Sequence, residues 1–243
     1  MTSDINTQER NIETNLKLVK DRISAACLKS GRDPRDVKLL PVSKTKPLSM
    51  VHTAIDCGQR DFGENYLQDA LEKITALPSA LPPEIAKTVY WHFIGAIQSN
   101  KTKPIAENFD WVHTVSSNKV ARRLNEQRPK TLKPLNILIQ INIDAEENKS
   151  GILPDQAEEL VSSIRSMEHI HLRGLMAIPA KDQTSSQNAY RRLHALLHKL
   201  RLSLALDQFD QLSMGMSSDL ELAIAEGSTI VRIGTDIFGS RSL

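Results

Sequence analysis

Cysteine is almost missing from this chain: Cys27 and Cys57 are the only two in 243 residues, and they form neither a CxxC pair nor a disulfide framework. That excludes a disulfide-stapled scaffold, suits a reducing compartment and leaves both thiols as packing residues. Aromatic residues are scarce too, at 4%. No apolar run approaches the ~20 residues that cross a bilayer. The opening MTSDINTQER has no apolar signal core, so no membrane partner is expected and the cytoplasm is the expected location. Charge of one sign is also lacking. The 31 Lys and Arg face 29 Asp and Glu, a net of +2, spread along the chain, so no polybasic arm points to nucleic acid. Small anions stay admissible as ligands. GxGxxG after the first strand-like segment, GxxxxGK[ST] and HExxH are all absent, which removes the usual signatures of dinucleotide, phosphate-loop and zinc sites; no metal is expected.

What is present is an alternation. Ile12, Leu16, Val19, Ile23 and Ala26 fall at helical spacing, so residues 5–28 read as a long amphipathic helix stopped by SGRDP. Eight strand-like segments follow: VKLLPVSK, RDFGEN, YWHFIG, WVHTVSS, LNILIQINI, LRGLMAIPA, QLSMGMS and TIVRIGTDIFG. Helical patterns lie between them at 48–58, 66–77, 154–167, 187–204 and 217–226. Short strands that are apolar on both sides suit a parallel sheet covered by helices. The expected fold is therefore a single α/β domain over residues 1–243, a (β/α)8 TIM barrel with residues 1–30 as an added N-terminal cover helix; an open doubly wound sheet is the alternative. The proline-bearing stretches 77–84 and 128–134 read as surface loops.

In such a barrel the chemistry sits at the carboxyl ends of the strands. Strand one delivers Lys44 there, on the parity of Leu40 and Val42. A partly desolvated amine favours its neutral form and can attack an aldehyde, whereas an ordinary lysine is solvated; Lys46 is taken as the solvated one of the two. Strands seven and eight deliver MGMSSDLELA and RIGT, glycines and hydroxyls ahead of a helix, where phosphate is often held. Either loop alone also reads as an ordinary turn with a serine N-cap. His92 and His113 lie within strands and read as satisfied core residues, and His169 and His171 have no third metal ligand in view.

Together, VSKTKP, FGENYLQDALEK, WHFIGAIQSNK, VHTVSS, ILIQINI with NKSGI, RGLMAIPA and LSMGMSSDLELAIAEGSTIVRIGTDIFGSR closely resemble the YggS/PROSC family of pyridoxal phosphate homeostasis proteins. The resemblance spans nearly the whole chain. It implies a barrel like the amino-terminal domain of alanine racemase, with pyridoxal 5′-phosphate (PLP) bound as an internal aldimine. The family's cofactor lysine falls on Lys44 and its pyridine-nitrogen partner on Arg232. Its phosphate contacts fall on Ser217, Gly234 and Thr235, with Asn65 and Met214 lining the ring. Lys149 matches a family lysine associated with moving the cofactor, while the tail lysines of some relatives have no counterpart in GSRSL. PLP-dependent apoenzymes are the implied recipients, and a monomer is the expected state.

Arginine only donates and stays protonated, so Arg232 at the pyridine nitrogen would weaken the ring as an electron sink. Racemases with this feature use two opposed bases, one a tyrosine from a second domain, for which this chain has no evident room after strand eight. Tyr66, Tyr90 and Tyr190 are the tyrosines here. A non-catalytic carrier or buffer of PLP, with no catalytic residues, is thus the favoured expectation. The alternatives are a weak amino-acid racemase and a cofactor-free Schiff-base aldolase.

Overall fold

The computed structural model describes residues 2–180 and 183–240. In chain order its elements are α1 (Thr2–Lys29), β1 (Lys38–Pro41), α2 (Leu48–Asp56), β2 (Asp61–Glu64), α3 (Leu67–Ala80), α4 (Pro83–Ala86), β3 (Tyr90–Phe93), α5 (Thr102–Asn108), β4 (Trp111–Val115), α6 (Asn118–Gln127), β5 (Leu135–Gln140), α7 (Ala157–Ile164), β6 (Ile170–Met176), α8 (Gln183–Ser203), β7 (Gln211–Ser213), α9 (Leu220–Ala225), β8 (Ile230–Ile233) and α10 (Thr235–Phe238). All eight strands are parallel, in the order β1-β8-β7-β6-β5-β4-β3-β2. A parallel bridge between Val42 and Gly63 joins β1 to β2 and closes the ring. This is the (β/α)8 barrel that the alternation predicts.

The core divides in two. One cluster fills the layer between sheet and helices, with Leu39, Phe62, Phe93, Leu135, Ile137, Leu175 and Val231 facing helix residues such as Val51, Ala70 and Leu193. A much smaller cluster of Trp111, Leu138 and Met176 stands apart from it. Buried polar residues are correspondingly numerous on the strands: His92, His113, Ser213 and Arg232 are all nearly or wholly inaccessible. In α1 the stripe of Ile12, Leu16, Val19, Ile23, Ala26 and Cys27 is buried, as its spacing predicts. This helix packs on α2, α9 and α10, so it covers the seam where the last βα unit meets the first. Cys27 and Cys57 are free thiols, the first buried and the second half-buried, as packing residues would be.

The expected loop at 77–84 is a correction. Helix α3 runs through Pro78 to Ala80, and α4 begins at Pro83. Pro78 lies in the last turn, where losing one backbone bond is outweighed by burying Leu77 and Leu81 in the core. The connection at 128–134 has no helix or strand, but Arg128 is buried there and donates to the carbonyls of Ala106, Phe109 and Lys133. Helices α5 and α6 have no counterpart among the helical patterns singled out in the sequence. Too few apolar residues mark them: α6 buries only Val120, Ala121 and Leu124 on an otherwise charged helix.

Candidate functional site

Lys44 follows the bridge that closes the barrel and sits half-buried in a turn. Both of its neighbours are tied down. Ser43, fully buried, donates its N–H to the Gly63 carbonyl at 3.0 Å and its hydroxyl to Glu64 Oε1 at 2.7 Å. Thr45 has φ +62°, a left-handed conformation that costs a non-glycine residue ~1 kcal/mol. Its N–H is held by Asp69 Oδ2 at 2.9 Å. Lys73 connects these anchors: from α3, 4% exposed, it donates to the Ser43 carbonyl (2.8 Å), Glu64 Oε1 (2.7 Å) and Asp69 Oδ2 (3.0 Å). Burial pushes the Glu64 carboxyl above its ordinary range, against the pull of Lys73 and Ser43. Lys46 departs from the solvated residue expected. It is half-buried, donates to the Ser240 carbonyl at 2.6 Å, and burial lowers its pKa.

The loops after β7 and β8 are held against each other by α1. Arg22 donates to the Ser217 carbonyl (3.0 Å), Glu221 Oε1 (2.8 Å) and Asp236 Oδ2 (2.7 Å), so one guanidinium spans α9, α10 and the turn containing Ser217. Asp219 shapes the first loop, accepting from the Met216 N–H and the Tyr190 hydroxyl, each at 2.7 Å. Gly215 has φ +93°, and a Cβ there would meet Ala223 Cβ at 2.5 Å, so only glycine fits this turn. Ser217 is half-buried just before α9, and Thr235 is exposed as the first residue of α10.

Met214 is fully buried and Arg232 is 5% exposed beneath the same rim. Arg232 donates to Ser213 Oγ at 2.7 Å and to the Ala177 carbonyl at 3.1 Å. Burial lowers its pKa, opposed by Tyr190 and Asp219. Asn65 follows β2, and its Oδ1 is buried without a hydrogen-bond partner among the described residues. Its carbonyl would lie 2.0 Å from a Cβ at position 95, which is why Gly95 lets the two rim loops meet. At Gly234 the nearest atom to such a Cβ is the Val42 carbonyl, at 3.4 Å.

The seven residues named from the sequence therefore lie on β1, β2, β7 and β8 and the turns that follow them, which are sequential neighbours in the closed sheet. An amine, two hydroxyls, a donor-only guanidinium and an orphaned buried acceptor on one rim fit an anionic, aldehyde-bearing heterocycle. Lys149 lies elsewhere, in the turn after β5, paired with Glu146 at 2.5 Å and within 4.0 Å of Asp144. Asn142 is occupied in that same turn, bonding Glu146 and Lys149 backbone. Tyr90 begins β3 at the opposite end of the barrel, and Tyr66 is half-exposed just ahead of α3. Tyr190 is fully buried, and burial with its bond to Asp219 pushes its phenol far up. Sequence reading missed Lys73, Asp69 and Arg22. The i,i+4 spacing of Asp69 and Lys73 was visible, but their reach back to β1 was not.

The sequence model of the family described as alanine racemase, N-terminal domain, matches residues 10–242. A pyridoxal phosphate homeostasis protein of Haemophilus influenzae is 49% identical over 234 residues, covering 96% of this chain and 97% of that one. One of the same name from Pseudomonas aeruginosa is 50% identical over 232 residues, covering 95% and 96%. Among solved structures, PipY of Synechococcus elongatus with PLP bound superposes with a TM-score of 0.76 at 31% identity, covering 91% of this chain and all 100% of that one.

Proposed function

Because this chain belongs to the alanine racemase N-terminal domain family, we propose that it binds PLP at the carboxyl ends of its strands and serves PLP homeostasis by holding and releasing it, without substantial turnover of its own. Bound, the cofactor supplies an aldehyde for an amine and a ring that accepts electrons when its nitrogen is protonated. Lys44 supplies the amine. Ser217 and Thr235 offer hydroxyls to the phosphate, with Gly234 leaving the backbone accessible, while Asn65 and Met214 line the ring. Arg232 presents N–H groups to the ring nitrogen.

The observation that carries the non-catalytic reading is Arg232 itself: a buried guanidinium, held on two sides, that only donates. It disfavours a proton on the ring nitrogen and so disfavours carbanion chemistry. Tyr190 does not serve as the opposing base, since its hydroxyl is committed to Asp219, and Tyr90 lies at the opposite end of the barrel. The recipients in this reading are PLP-dependent apoenzymes of the cytoplasm, and the carrier is a monomer.

Racemisation and transamination of common amino acids by the purified, yellow protein are expected near background; steady turnover of about 1 per second or more would overturn the carrier reading. Arg232→Glu should make the ring a stronger electron acceptor and raise that background, measured alongside cofactor occupancy. The phosphate assignment has its own check. Ser217→Ala or Thr235→Val should each weaken PLP binding by about 1.5–3 kcal/mol, roughly ten- to a hundredfold. Pyridoxal without its phosphate should bind the unaltered protein poorly, and equal affinity for the two forms would remove the phosphate site.

A further inference from the structure

Behind Arg232, an unbroken line of side-chain hydrogen bonds crosses the barrel interior. Arg232 NH1 lies 2.7 Å from Ser213 Oγ, which lies 2.8 Å from His113 Nδ1. His113 Nε2 lies 3.0 Å from His92 Nδ1, and His92 Nε2 lies 2.9 Å from Asp61 Oδ1. Asp61 in turn pairs with Lys38 at 2.6 Å, at the amino ends of β1 and β2 and thus at the opposite face from Lys44. Ser213, His113 and His92 are fully buried. His113 sits where the pairing of β4 with β5 shifts register between Val112 and Val115, a bulge of the kind that re-aims a side chain.

The two ends fix the direction of every bond. A guanidinium only donates and a carboxylate only accepts, while a neutral imidazole has one donor and one acceptor. Asp61 therefore accepts from His92 Nε2–H, which leaves His92 Nδ1 to accept from His113 Nε2–H. His113 Nδ1 then accepts from the Ser213 hydroxyl, whose oxygen accepts from Arg232. Running the chain the other way would require a protonated Asp61 and would leave the Ser213 O–H without an acceptor. Burial holds both imidazoles below their ordinary pKa, as neutral rings require, and burial of the Asp61 carboxyl is outweighed by His92 and then Lys38, which hold it low.

We infer that His113 is a positioning residue for Arg232, and that the one-way chain through His92 to Asp61 turns the Ser213 oxygen toward the guanidinium that meets the ring. The chain's consequence is that the cofactor site is oriented partly from the far face of the barrel. This rests on the proposed PLP site, and its test has one arm that does not.

In the first arm, long-range nitrogen–proton correlation spectra of isotope-labelled histidine in the cofactor-free protein should show His92 and His113 both neutral and both protonated at Nε2. Asp61→Asn, whose amide can donate as well as accept, should loosen the lock at that end and raise the Nδ1–H share of both rings above its level in the unaltered protein, against the preference still set by Arg232. A proton on His113 Nδ1 in the unaltered protein, or a charged ring near neutral pH, overturns the inference. In the second arm, His113→Leu cuts the chain, whereas His113→Gln keeps an acceptor and a donor. PLP affinity should fall about tenfold in the first and stay within about threefold in the second. Equal affinity of His113→Leu and the unaltered protein overturns the positioning role, as does an equal loss in both variants. If no variant and no unaltered protein binds PLP, the proposed function fails while the ring tautomers are still read.

Discussion

Borohydride reduction of the PLP-loaded protein is expected to fix the label on Lys44, and Lys44→Ala to lose the reducible link while retaining weak cofactor binding through the phosphate contacts. The rival is Lys46, two residues away, also half-buried and with its pKa lowered by burial. One feature separates them. Lys44 is the residue whose backbone is clamped on both sides, by Ser43 to β2 and by Thr45 to Asp69, with Thr45 held at φ +62°. Strain of that kind persists only where surrounding contacts enforce it, and here they fix the base of the Lys44 side chain. Affinity in Lys44→Ala should drop on the order of a hundredfold, ~2.7 kcal/mol, and Lys46→Ala should keep both label and absorbance band. Label mapped to Lys46 or Lys149 in protein carrying one cofactor would refute the assignment.

The barrel was legible because its strands are short, apolar runs bounded by turn residues, and that pattern survives without tertiary information. The rim was narrowed in a different way: in this topology the carboxyl ends of the strands carry the site, which singles out Lys44 and the loops after strands seven and eight, whereas the roles of Asn65, Met214, Ser217, Arg232, Gly234 and Thr235 come from the resemblance. What stayed hidden depends on contacts between residues far apart in sequence. Arg22 looks like one more charge on the polar face of α1, yet it joins residues near 220 and 236. His92 and His113 could be recognised as core residues but not as neighbours, since their pairing depends on the register of adjacent strands and on a bulge in β4. Lys46 was misjudged because position in a turn does not reveal that residues near the end of the described chain fold back over it.

Lys73→Met should be the most destabilising of these single changes, by about 3–5 kcal/mol, because it strands a buried charge. Lys73 is 4% exposed and Glu64 fully buried, so neither is rescued by water when its partner goes. One oxygen of Glu64, Oε2, already lacks a partner among the described residues, and losing Lys73 leaves Oε1 with only the Ser43 hydroxyl. For a chain of this size the loss corresponds to a fall in Tm of roughly 10 °C. The pH dependence has a definite sign. Burial already holds the Glu64 carboxyl above its ordinary value, and Lys73 is the main influence pulling it down. Removing Lys73 raises it further, so the variant's folded state takes up a proton that the unfolded chain binds only near the ordinary value of ~4.3. The deficit relative to the unaltered protein should therefore be fully present above the variant's folded-state value and shrink as pH falls from it toward the unaltered protein's own value, itself above the ordinary one. Lys73→Met with Glu64→Gln should recover much of the loss near neutral pH by removing the stranded charge. A deficit that is independent of pH and untouched by Glu64→Gln would mean that Lys73 acts through packing of its stem alone. Because the same ammonium holds the Ser43 carbonyl and, through Asp69, the Thr45 N–H, the variant should also label more slowly at Lys44 at temperatures where it is still folded.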